Sequence, residues 1–178
     1  MWKAYGHAMR ATQLARLNDK AESADEMALA IELCRVTGTR LTVPYFFASH
    51  VLTLTELGRY READAVAEKV TQYVDEGVDP WSHAEIRRLL CIARFRRDND
   101  VEAALNSLQI AANIAASQGA SLWELRIATN QATMHLENQR GAEGRRLLSA
   151  QLEDFPSAGL QLKDVRIARE IYDSMQIN

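Results

Sequence analysis

Chain breakers are scarce. The 178 residues include three prolines and eight glycines, too few for long disordered or turn-rich stretches. The two cysteines, Cys34 and Cys91, each lie inside an apolar helical pattern and lack metal-ligand spacing. They read as small buried hydrophobes of a reducing compartment, with a disulfide between them as the alternative. No apolar run approaches the ~20 residues that span a bilayer. The opening MWKAYGHAMRATQLARL has no continuous apolar segment of the kind a secretory signal needs. These absences predict a cytoplasmic protein without membrane association. A net charge of −3 excludes a basic, phosphate-binding surface spread over the whole chain, so no direct nucleic-acid binding is expected.

Catalytic signatures are missing too. Neither G-x-x-x-x-G-K-[ST] nor G-x-G-x-x-G occurs, and Gly141 and Gly144 lack the lysine and preceding strand of a phosphate loop. His7, His50, His83 and His135 are scattered, with no His-x-x-x-His pair, and no nucleophile elbow is present. The expectation is a protein with no cofactor and no metal that is not an enzyme. His50 and His135 fall inside helices and read as core or groove histidines with satisfied hydrogen bonds.

What the chain does have is a period. Gly38, Gly77, Gly119 and Gly159 recur about every 40 residues, the spacing of stacked helical repeats. The turn-forming residues Asn18-Asp19, Gly58, Asp98-Asn99-Asp100 and Gln139-Arg140-Gly141 form a second, interleaved series. Two series imply two helices per repeat. The stripe Val101, Ala104, Leu105, Leu108, Ala111, Ala112, Ala115 has i, i+3, i+4 spacing. So do Ala63, Val66, Ala67, Val70, Val74 and, earlier, Ala24, Met27, Ala28, Ile31, Cys34. Pro44 and Pro80 suit first helical turns, Pro156 follows a helix, and the recurring glycines suit the left-handed position after a helix end.

The pattern predicts an all-α protein with helices at about 1–17, 20–36, 44–57, 60–76, 82–97, 101–118, 121–138, 141–154 and 162–176. They pair into hairpins at about 1–38, 39–77, 78–119 and 120–159, followed by a capping helix over 160–178. Together these form a single right-handed α-solenoid domain. The last helix carries Val165, Ala168, Ile171, Tyr172 and Met175 on one stripe and charges elsewhere, as a terminal cap requires.

The segment LGRYREA, Leu57 to Ala63, resembles the inner turn of a tetratricopeptide repeat. The resemblance implies that Gly58 makes the tight turn, Tyr60 fills the wedge between helices and Ala63 lies at their closest approach. Ala104 and Ala111 match the small positions of that pattern's second helix, with Leu108 the bulky one between them, and Gly144 stands where an alanine is expected. A period near 40 exceeds the usual 34, so the hairpins read as lengthened tetratricopeptide-like units, with HEAT-like packing as the alternative. TGTRLTVPYFFASHVLTLTELGRYREA and SQGASLWELRIATNQA are similar to the C-terminal helical-repeat region of large bacterial signal-transduction ATPases, such as the maltose-regulator-like transcription activators. Gln131 and His135 depart from that pattern, and no ATPase, cyclase or DNA-binding segment is present. The resemblance implies a sensor or scaffold region, read here as a fragment of a larger multidomain protein.

The fifth helix is rich in arginine. Arg87 and Arg94 are seven residues apart and share a face, with Arg97 beside them. In tetratricopeptide solenoids first helices line the concave groove, so these arginines, together with Tyr45 and His50 of the previous first helix, are the candidate partner-binding residues. An anion clamp for a carboxylate or acidic peptide is one reading; a solvated stripe paired with neighbouring acids is the other. Trp81 and Trp123 read as inter-repeat packing residues. The expected function is a non-catalytic scaffold that binds a protein or peptide partner in signalling or transcription control. Sensing of a small effector is the alternative, and homodimerisation through exposed solenoid ends is a further expectation.

Overall fold

The computed structural model describes residues 2–175. Among them are nine α-helices and no strand: α1 Trp2–Arg16, α2 Lys20–Thr37, α3 Val43–Glu56, α4 Tyr60–Asp75, α5 His83–Asp98, α6 Val101–Gln118, α7 Ser121–Glu137, α8 Gly141–Glu153 and α9 Lys163–Ser174. Short 3-10 turns occupy Pro80–Ser82 and Ser157–Gly159. The bounds lie within a residue or two of the sequence expectation. The expected helix positions 1 and 176 lie outside the described residues.

The helix ends explain this agreement. Asn18, Gly58, Asn99 and Gln139 all take left-handed backbone angles, and so do Gly38, Gly77 and Gly119. Both series are therefore helix stops made by one device. At six of these seven stops the next N–H reaches back to close the last turn, as from Arg59 to the Leu54 carbonyl at 2.9 Å and from Ala120 to that of Ala115 at 3.0 Å. Two helices restart on aspartate caps: Asp19 accepts from the Glu22 N–H, and Asp100 from the Ala103 N–H at 3.0 Å. Gly159 departs from the pattern. It sits in a 3-10 turn without a left-handed angle, and a Cβ there would lie 2.6 Å from the Phe155 ring. It is small because the ring folds over it.

The contacts divide the chain into two compact units, 1–99 and 100–178. The expected hairpin 78–119 thus has its first helix in one unit and its second in the other. In the first unit α1 pairs with α2 and α3 with α4, while α3 also meets α1, α2 and α5. Ten of the fourteen residues of α3 are buried, so it is the axis of this unit. Phe47, Val51, Leu54, Ala63, Val70, Ile86 and Leu89 belong to one core cluster; Phe46 joins another with Ala8, Ala11, Met27 and Ala30. In the second unit α7 pairs with α8 and also meets α6 and α9. Its core holds Leu125, Ala128, Ala132, Leu148, Val165 and Ala168. Cys34 and Cys91 are both buried. No helix of the described residues is long and apolar enough to cross a membrane.

The repeat-signature residues divide by position. Ala63, Ala104, Leu108 and Ala111 are buried. At Gly144 a Cβ would lie 2.9 Å from the Ala132 carbonyl oxygen and 3.0 Å from the Met175 methyl, so α8 and α7 meet backbone to backbone there. Gly58 carries the left-handed turn angle. Tyr60, expected in a wedge between helices, is 44% exposed. It is the first residue of α4, and a helical side chain leans toward the N-terminus, which carries the ring past the helix pair. Trp81, expected to pack between repeats, lies in the 3-10 turn and is also exposed. Gln131, the polar departure in α7, is buried.

Candidate functional site: the arginine face of α5

The sequence AEIRRLLCIARFRRD alternates core and charge at helical spacing. Ala84, Ile86, Leu89, Ile92 and Ala93 are buried, which orients the remaining positions outward. Five arginines result, and their partners differ. Arg88 forms a bidentate pair with Glu85, Nε to Oε2 at 2.7 Å and Nη2 to Oε1 at 2.8 Å. Glu85 is only 2% exposed, so this pair serves the interior, where a lone carboxylate would be costly. Arg96 reaches Glu56 of α3, which also takes Lys20 from α2 at 3.1 Å. Burial lowers the pKa of Arg96.

Arg97 donates to Asp98 at 2.8 Å and to Asp64 of α4 at 2.7 Å. Its hydrogen bonds to Asp98, then to Asp64, raise its pKa. Arg97 is thereby committed to the α4–α5 contact and is not an open member of the clamp. Arg87 and Arg94 differ from the other three. Both are exposed, and neither has a salt bridge among the described residues. Seven residues is nearly two helical turns, so their guanidinium groups sit along one line about 10 Å apart at the backbone.

The other two candidates lie elsewhere. His50 is 5% exposed, inside the α3 core, and its Nδ1 has no hydrogen-bond partner. Burial, and secondarily the Arg59 guanidinium, pull its pKa down to about 4, against the opposing effect of Glu62. It is a core histidine with an unsatisfied nitrogen, where a satisfied one was expected. Tyr45 is half-buried, its ring 5.7 Å from that of Phe46, on the fringe of the first unit's core clusters. His135 likewise has a buried, unpartnered Nδ1 and a pKa lowered by burial and by Arg140.

Two features escaped the sequence reading. Asp79 is buried with a left-handed backbone, accepts the Ser82 hydroxyl at 2.9 Å on Oδ2 and leaves Oδ1 unpartnered. Its V-D-P-W-S setting is a turn signal that hid the burial. The Glu85–Arg88 pair was legible as Glu-x-x-Arg on a helix, but the burial of Glu85 was not, because it depends on what packs against α5. No group of three or more His, Cys, Asp or Glu among the described residues is arranged to hold a metal ion. No family model, curated protein or solved structure matches the chain.

Proposed function

We propose that the chain is a non-catalytic, tetratricopeptide-like helical-repeat scaffold that binds a carboxylate-bearing peptide segment of a protein partner on the exposed arginine face of α5, in the concave groove. One observation carries this reading: of five arginines on α5, three are held by carboxylates, while Arg87 and Arg94 are exposed and aligned with no salt bridge among the described residues, Arg94 sensing only the charge of Asp98 one turn on. A pair of planar guanidinium groups on a rigid helix suits two carboxylates of an acidic segment, each taken in a bidentate fork. The packing order supports a repeat scaffold, since α1 and α3, then α3 and α5, are neighbours while α2 and α4 pair with the helices before them. The likeness of the linker phrases to bacterial signal-transduction ATPases supports a place in a regulatory assembly and a right-handed solenoid arrangement.

The test is a fluorescence-anisotropy titration with acidic peptides of varied sequence. Removing both guanidinium groups (Arg87→Ala with Arg94→Ala) should weaken binding by about a hundredfold, roughly tenfold for each lost charge-assisted contact. The melting temperature should move by no more than about 2 °C, because exposed substitutions lie within about 0.5 kcal/mol. Unchanged affinity in the double variant would remove the α5 face from the function.

A further inference from the structure

Strain and burial coincide in the linker between α4 and α5. Asp79 takes a left-handed conformation, φ 60° and ψ 49°, and the residue after it is Pro80. Such angles are uncommon for any residue but glycine. A following proline, whose Cδ crowds the residue before it, favours extended angles there. Val43 and Phe155, which precede the other two prolines, have no positive φ. Strain of this kind persists only where the surroundings enforce it, and it gathers at sites that use it.

Ser82, fully buried, enforces it here. Its N–H donates to the Asp79 carbonyl oxygen at 3.1 Å. Its hydroxyl oxygen lies 3.1 Å from that same carbonyl oxygen and 2.9 Å from Asp79 Oδ2. A hydroxyl has one proton to give, so both contacts are hydrogen bonds together when the carboxyl is protonated. Oδ2–H then donates to Oγ, and Oγ–H to the carbonyl. Burial raises the pKa of this carboxyl, against the hydrogen bonds of Ser82 and Trp81 and the charge of His83. The second carboxyl oxygen, Oδ1, is buried and has no hydrogen-bond partner. A turn needs only the Ser82 N–H bond; the buried acid and its spare oxygen are extra.

Together these atoms have the parts of an acyl-transfer centre. Two donors polarise the Asp79 carbonyl, and a carboxyl oxygen of the same residue reaches its carbon through a five-membered ring. The leaving nitrogen belongs to a tertiary amide and departs as a basic secondary amine. Pro80 and Trp81 are exposed, so the departing side of the bond meets water. We infer that Asp79–Pro80 is a self-cleavage site, at which the aspartate's own side chain cuts the chain between α4 and α5. Oδ1 bonds to the Asp79 carbonyl carbon while the Oδ2 proton moves through the Ser82 hydroxyl to the carbonyl oxygen. The carbon–nitrogen bond then breaks, its electron pair stays with the Pro80 nitrogen, and that nitrogen takes the proton. One water opens the cyclic anhydride left on Asp79, which frees its α-carboxyl and restores its side chain. The sum is hydrolysis of one peptide bond, once per chain, and it does not depend on the arginine face of α5. After the cut only non-covalent contacts hold α5 to the first unit, among them Ile86, Leu89 and Ala93 in its core cluster and the Arg96–Glu56 pair.

The test is intact-mass spectrometry of the full chain kept at about pH 5, with a parallel sample at about pH 7. Fragments 1–79 and 80–178 should accumulate at the lower pH, with Pro80 as the new N-terminus, and more slowly at the higher. The same chain unfolded in urea at the lower pH reports the ordinary acid lability of an aspartyl–prolyl bond. The folded chain should cut at least about tenfold faster than this reference. Asp79→Asn tolerates the left-handed angle and should abolish cutting, while Ser82→Ala should slow it by about tenfold through loss of the relay. Circular dichroism checks that each variant is folded at the pH used. The Arg87→Ala/Arg94→Ala variant should cut at the parent rate, so the result stands whether or not α5 binds a peptide. Equal rates in the folded and the urea-unfolded chain overturn the proposal. So does a folded chain that stays intact, or cutting that survives Asp79→Asn.

Discussion

His50 shows how one residue ties burial to pH. Its imidazole is buried and its pKa lies at about 4, below the ordinary 6.5 of an unfolded chain. Between these values the unfolded state holds a proton that the folded state refuses, so stability rises with pH through that window. The contribution is fully present above pH 6.5 and is lost as pH falls toward 4. Over 2.5 pKa units at 1.36 kcal/mol each, the loss is about 3 kcal/mol. His50→Leu should abolish this component: denaturant melts at about pH 7 and about pH 4 should show parent and variant diverging by about that amount as the pH drops. Parallel behaviour of the two would mean that His50 takes up its proton in the folded state. The position was visible in the sequence as a helical histidine, but its unsatisfied Nδ1 was not, because partner geometry depends on what α3 packs against.

At the scale of the element, the α7–α8 hairpin depends on Gly144. An alanine there gains about 1 kcal/mol of helix propensity but places a methyl 2.9 Å from the Ala132 carbonyl. Over-packing of this kind costs about 1–3 kcal/mol, and backbone is the neighbour least able to yield. Gly144→Ala should therefore be a net loss of up to about 2 kcal/mol in urea denaturation; a stabilised variant would show that the hairpin can open without cost. Sequence alone argued the other way, since tetratricopeptide patterns carry alanine at this place. The helix ends, by contrast, were readable, because each is made locally by a residue that tolerates a left-handed angle. Only three of the seven stops needed to be anticipated as something other than glycine: Asn18, Asn99 and Gln139.

Across the whole molecule, the two units carry separate core clusters with no residue in common. Ala63 is 3% exposed in the first unit's core, and Ala63→Asp forces an unpaired charge into it, at about 2–4 kcal/mol. Urea denaturation of the single variant measures this, and an unchanged midpoint would place Ala63 outside a close helix contact.

The sequence by itself determined the helical class, the number of helices among the described residues and nearly every boundary, because caps, left-handed stops and 3.6-residue periodicity are properties of short segments. Tertiary structure alone decided which polar groups face water. Arg87 and Arg97 are chemically alike and sit on the same helix, yet Asp64 comes from α4 to hold Arg97, and among the described residues no carboxylate forms a salt bridge with Arg87. Tyr60 emerges at a helix start, and His50 disappears into the interior. Each outcome depends on a neighbour distant in the chain, and local sequence carries no record of that neighbour's arrival.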